Sequence, residues 1–175
     1  IMNIIIRIIS NDLPFIHSDN QTYNNLEFTL KNEKIFRNTH KLFVLNRIVD
    51  KPKKIKIISL LKQYKFKYLD IPFEYSQIKS KHPKLALGRM LQYTLKENWN
   101  KAHNTYLNKI INELLECNLY VINNNGCRNF CIDYGIKNKY EIIFVLDSNS
   151  FFLEKDYYEI INKVNKSTNY IIIPQ

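Results

Sequence analysis

Short β-branched runs alternate with stretches of helical spacing along most of this chain. "NIIIRII", Asn3 to Ile9, is apolar and stops at the turn cluster "SNDLP", which predicts a first strand. "QTYNNLEFTLKN", Gln21 to Asn32, has apolar residues at Tyr23, Leu26, Phe28 and Leu30, and reads as a helix. "HKLFVLNRIV" is a second apolar run, ending at Asp50 and Pro52. "KKIKIISLLKQY" places Ile55, Ile58, Leu60 and Leu61 on one side at helical spacing, and "FKYLDIPF" is a third short strand. The order β-α-β-α-β predicts parallel strands joined by right-handed crossovers, an α/β fold.

Lys79 to Lys84 is a basic, proline-containing break. Beyond it Leu91, Leu95, Trp99, Ala102, Tyr106, Ile110 and Leu114 recur at steps of three or four. Leu85 to Cys117 is therefore read as a helix, long or broken in two. It forms a helical insertion over about 79–117 that packs on the sheet in preference to a coiled-coil partner. "NLYVIN", Asn118 to Asn123, predicts a fourth strand. "CRNFCIDYGI", Cys127 to Ile136, predicts a short helix capped by Gly135. "YEIIFVLD", Tyr140 to Asp147, is continuously apolar, as a buried parallel strand is, and is the fifth. "KDYYEIINKVNK" reads as a helix and the terminal "YIIIPQ" as a sixth strand. Residues 1–175 form one domain, without internal repeat or flexible linker.

Composition changes this picture little. At 175 residues and 45% hydrophobic, the chain can bury a core and is not disordered wholesale. Its net charge of +10 suggests anionic partners: nucleic acid, phosphorylated small molecules or a membrane surface. Asn, Ile, Lys and Tyr are all heavily used, so much of the lysine excess reads as compositional bias. Lys51, Lys53, Lys54 and Lys56, interleaved with isoleucines, read as the solvated face of an amphipathic helix. The three cysteines, Cys117, Cys127 and Cys131, contain no CxxC pair and imply neither a disulfide framework nor a zinc site. Free thiols fit a reducing compartment, and a cytoplasmic location is expected. His17, His40, His82 and His103 are scattered, with no i,i+4 pair to make a metal site. "IMNIIIRIIS" is too short to span a bilayer and Arg7 interrupts it, so no transmembrane segment is expected. Arg7 itself reads as one half of a structural ion pair. Ile rather than Met at position 1 leads us to expect an excised piece of a longer chain.

The candidate chemistry lies at strand ends, because open α/β sheets bind ligands there. Asn123 to Asn129 opens a helix, whose free N–H groups and dipole offer a phosphate seat. Gly126 would let the backbone approach closely, and Arg128 would fork onto a phosphate. Asp147, ending the fifth strand, would hold a divalent cation against diphosphate oxygens. A plain βαβ turn, with Arg128 in a surface salt bridge, carries equal weight. No GxGxxG and no GxxxxGK[ST] is present. "FVLDSNS" has Asn149 where phosphatases with an aspartate nucleophile need a second Asp.

The strand–helix order, then "NGCRNFCIDYGI" and "YEIIFVLDSN", resembles family 2-like glycosyltransferases. Motif-like identity is confined to Asn125–Gly135 and Phe144–Asn149. The resemblance implies a mostly parallel three-layer α/β/α sandwich, the Rossmann-like GT-A nucleotide-sugar-binding fold. It implies a UDP- or GDP-sugar donor and Mn²⁺ or Mg²⁺ at an Asp-x-Asp motif. Asp147 would be the first acidic position of that motif. Asn149 falls on the second and is uncharged, so metal binding is expected to be weak or absent. Arg128 and Asn129 match the family's Arg-Asn pair, and Asn125 and Gly126 its Asn/Gly-rich turn, beside donor sugar and diphosphate. Ser10, Asn11 and Asp50 fall where such folds hold base and ribose. The family's acceptor half and catalytic carboxylate follow the Asp-x-Asp strand by many tens of residues, and here the chain stops at Gln175. Glu154 and Asp156 read as acids near a helix start. The expectation is a donor-binding half truncated at its C-terminus: a hexosyltransferase-type enzyme or an inactive fragment of one, with acceptor and base unassigned. Two other classes compete. One is a basic nucleic-acid-binding module, with cations and rings as in "KQYKFKYLD", although no RNP, KH, HTH or finger pattern supports specific nucleic-acid binding. The other is a catalytically silent interaction domain on the same scaffold.

Overall fold

The computed structural model describes residues 2–12, 17–74, 76–77 and 119–164. Its elements are β1 (Asn3–Ile9), α1 (Gln21–Asn32), β2 (Thr39–Asn46), α2 (Lys51–Gln63) and β3 (Lys67–Ile71), then α3 (Asn124–Lys137), β4 (Ile142–Asp147) and α4 (Glu154–Lys163). The break at Lys79–Lys84, the helix expected over Leu85–Cys117 and the strand "YIIIPQ" lie outside the described residues. No helix among the described residues is long and apolar enough to cross a membrane.

The four strands form one parallel sheet in the order β3-β2-β1-β4. β1 lies inside it, and all seven of its residues are buried. This explains its largely apolar run, interrupted at Arg7, since a central parallel strand is covered on both faces. Ile4, Ile6 and Ile8 share one face with Leu42 and Val44 of β2, against Cys127 and Cys131 of α3. The opposite face carries Ile9, Phe43 and Leu45, against Leu26 and Leu30 of α1 and Ile57, Leu60 and Leu61 of α2. There Ile5 and Phe144 also meet Tyr157 of α4. Helices thus cover both faces, and each fully buried isoleucine contributes roughly 1.5–3 kcal/mol. Asp50 caps α2 by accepting from the Lys53 amide at 2.9 Å, with Pro52 in the first turn.

Two expectations are corrected. The stretch read as a fourth strand is helical over 119–122, and the Asn123 amide closes on the Leu119 carbonyl at 3.0 Å. Both sides of β1 are already taken, by β2 and β4. A short apolar run is ambiguous between helix and strand, and tertiary contacts decide it. Here Tyr120 lies under the Arg47 guanidinium, 3.9 Å from the ring centre, and its carbonyl accepts from Arg47. Gly135 does not cap a helix: α3 continues to Lys137, and Asn138 caps it. A Cβ at Gly135 would stand 2.5 Å from the Ile143 side chain, so the glycine lets α3 approach β4.

Among the buried residues is an ionic cluster. Arg7 of β1 pairs with Glu33, just past α1, at 2.8 and 3.2 Å, and Lys41 of β2 reaches the same carboxylate at 2.7 Å. Their side chains are 1%, 0% and 5% exposed. Glu33 also accepts the Phe152 amide at 2.8 Å, and Arg7 Nε donates to the Ser150 carbonyl at 3.0 Å. The ion pair expected for Arg7 is therefore present, and it ties the loop after β4 to the sheet.

Burial opposes the charge on Glu33, but its bonds from Arg7, Lys41 and Phe152 outweigh that and hold the carboxyl below its ordinary range. Burial lowers Lys41 despite the nearby carboxylate. The folded state thus takes up the Glu33 proton less readily than the unfolded chain, which does so near about pH 4.3. Glu33's contribution is present above that value and lost as pH falls through the folded one. Glu33→Gln, which leaves two buried cations uncompensated, should cost about 3–5 kcal/mol in urea denaturation at pH 7. The variant's stability should also fall less steeply than the parent's between about pH 5 and pH 3.

Candidate functional site

β1 connects through α1 to β2 on one side, while β4 lies on its other side. The carboxyl ends of β1 and β4 therefore flank the point where strand order reverses, the usual ligand crevice of open α/β sheets. A cavity of about 260 Å³ occupies this point. Ser10 and Asn11 line it from the end of β1, and Gln21, Thr22 and Asn25 from the start of α1. Asp147, Ser148 and Asn149 close it from the end of β4. Val121, Ile122 and Asn124 form the wall leading into α3. The first turns of α1 and α3 thus face one cavity, each with the positive end of its dipole. At α1 that end is partly answered by Asp12, which accepts the Thr22 amide at 2.8 Å and pairs with Lys53 at 2.5 Å. Burial opposes the Asp12 charge, but these bonds hold its carboxyl below the ordinary range.

The walls are fixed by side-chain amides. Asn11 bridges the β2–α2 turn, donating to the Arg47 carbonyl at 2.9 Å and accepting from the Val49 amide at 2.8 Å. Asn46, fully buried at the end of β2, donates to the Ile122 carbonyl at 2.7 Å and accepts from Asn123 at 3.0 Å. Asn123 is left-handed at φ 45°, a conformation that Asn tolerates well. Its side chain folds over Gly126, where a Cβ would meet Asn123 Oδ1 at 2.3 Å. Gly126 therefore makes room for the amide that anchors α3.

The residues singled out in the sequence divide accordingly. Ser10, Asn11, Asp147 and Asn149 come together around the cavity, and Arg128 stands beside it on Asp147. Asp50 caps α2, while Asn125, Gly126 and Asn129 are exposed on α3; none of these four lines the cavity. Gln21, Thr22, Asn25 and Ser148 were not anticipated, and Asn124 only as part of the expected phosphate seat over Asn123–Asn129. The polar start of α1, the first helix after β1, is the sequence signal that would have found the first three of them. Cys127 and Cys131 are free thiols buried in the core, and Cys117 lies outside the described residues.

Arg128 Nη2 donates to both Asp147 oxygens, at 3.0 and 2.8 Å, with the side chains 42% and 43% exposed. Hard divalent cations take about six or more oxygens, with carboxylates prominent among the protein ligands. At this position one carboxylate, already engaged by a guanidinium, and the neutral Asn149 make a poor donor set. Among the described residues, no group of three or more His, Cys, Asp or Glu side chains could hold a metal ion. No protein-family model, curated protein or solved structure matches the chain.

Asn46→Ala should leave the Ile122 carbonyl and the Asn123 amide without their partner. A loss of about 1–3 kcal/mol is expected in urea denaturation, with Asn46→Asp recovering part of it through its remaining acceptor.

Proposed function

We propose that this chain is a glycosyltransferase-like domain of GT-A type, and that its cavity binds a nucleoside-diphospho-sugar, UDP- or GDP-linked. The observation that carries the reading is the place of the cavity: the switch point between β1 and β4, with Asp147 in its wall and Arg128 on Asp147. Hydroxyls and amides such as Ser10, Thr22, Asn25 and Ser148 suit the neutral hydrogen-bonding groups of base, ribose and hexose. A volume of about 260 Å³ is below the roughly 300–1,000 Å³ of sites that enclose a drug-sized ligand. One moiety of a nucleotide sugar fits inside, and the diphosphate lies toward Arg128 and the first turn of α3. Hexosyl transfer to an acceptor is the activity such a donor site would serve.

The nucleic-acid reading draws less support. Lys and Arg would line a nucleic-acid groove, and neither is among the described walls of this cavity. The +10 charge should then give only nonspecific, salt-sensitive binding to DNA or RNA.

Calorimetry with UDP, GDP and their sugars tests the proposal. Saturable binding is expected, with a dissociation constant between roughly 1 mM and 10 μM, or about 4–7 kcal/mol. Absence of heat from every one of these ligands at millimolar concentration would remove the donor-site reading.

A further inference from the structure

We infer that Arg128, held by Asp147, is the resident cation of this site, so that an anionic phosphate ligand binds there without a divalent metal. The inference rests on the nucleotide reading above. A guanidinium has five N–H donors in one plane. Only Nη2 is used on Asp147, and Nη1 and Nε have no partner among the described residues. At 42% exposed, the side chain keeps those donors open to an incoming ligand. Asn124 lies four residues earlier on the same face of α3 and lines the cavity, as Asp147 does. Arg128 therefore stands at the edge of the cavity with donors to spare.

A divalent cation between a carboxylate and a diphosphate offsets part of the charge of each and bridges them. Arg128 already makes the first contact, and its free donors suffice for the second. Seating Mg²⁺ or Mn²⁺ on Asp147 would mean expelling the guanidinium or placing two cations side by side, and both are unfavourable. Charge balance fits the uncharged Asn149 as well. Two carboxylates suit a dication, whereas the single carboxylate of Asp147 suits the single positive charge of Arg128.

The test is the affinity of the whole chain for UDP and for uridine, measured by calorimetry in EDTA and again in Mn²⁺. UDP affinity should agree within about threefold between the two buffers, and UDP should bind more tightly than uridine. Arg128→Ala should weaken UDP roughly tenfold to a hundredfold in EDTA, the loss of a charge-assisted hydrogen bond, and leave uridine unchanged. In that variant Mn²⁺ should restore part of the UDP affinity, because Asp147 is then free; a purely structural arginine would give no such rescue. Arg128→Lys keeps the charge without the fork and should fall between, which guards against misfolding of the alanine variant. UDP binding that requires Mn²⁺ in the parent chain, or that ignores both substitutions while uridine still binds, would overturn the inference and leave the nucleotide reading intact. If neither UDP nor uridine binds in either buffer, the nucleotide reading fails and the inference falls with it.

Discussion

The Glu33 carboxylate joins three parts of the fold that the chain connects only distantly. It takes Arg7 from β1, Lys41 from β2 and the Phe152 amide from the loop after β4. A buried carboxylate without such partners would be strongly unfavourable, and so would a buried Arg7. The cluster is therefore satisfied as a whole or not at all. Its consequence reaches the cavity. Arg7 and Glu33 hold Ser150 and Phe152, and the residues just before them, Asp147 to Asn149, form one wall. A polar cluster inside the sheet thus sets where the candidate site's only carboxylate among the described walls stands.

Much of the fold was legible because five consecutive elements, β1 to β3, carry clear periodicity or β-branched runs. Residues 119–122 were misread because "LYVI" has strand composition, whereas the Tyr120 and Ile122 carbonyls are taken by Arg47 and Asn46. Both lie more than 70 positions away and meet it only in the folded chain. Gly135 was misread for a similar reason: its role depends on Ile143, in the neighbouring strand. Glu33 gave no signal at all, since a lone acid after a helix looks like a surface charge. In the site, the family resemblance pointed to Ser10 and Asn11, and the strand-end rule found Asp147. It missed Gln21, Thr22 and Asn25, although it points to the helix start after β1 as much as to the strand end.

Two ion pairs in this molecule differ in kind. The Glu33 cluster is dry and multiply bonded, so its loss should be felt as stability. The Arg128–Asp147 pair is almost half exposed, where solvent screening leaves an ion pair worth little. A pair that contributes little to the fold can exchange partners at little cost. That is consistent with the phosphate-binding role proposed for Arg128, whereas Arg7 and Glu33 belong to the architecture.

The central claim is that the cavity between the ends of β1 and β4, with Arg128 at its edge, is where an anionic nucleotide binds. Backbone amide shifts during titration with UDP and GDP, at about 0.15 M salt where long-range surface attraction is screened, test it most directly. Saturable changes centred on Asn11, Thr22, Asn124 and Ser148 are predicted. Changes spread over the lysine-bearing face of α2, growing without saturation and fading as salt is raised, would contradict it.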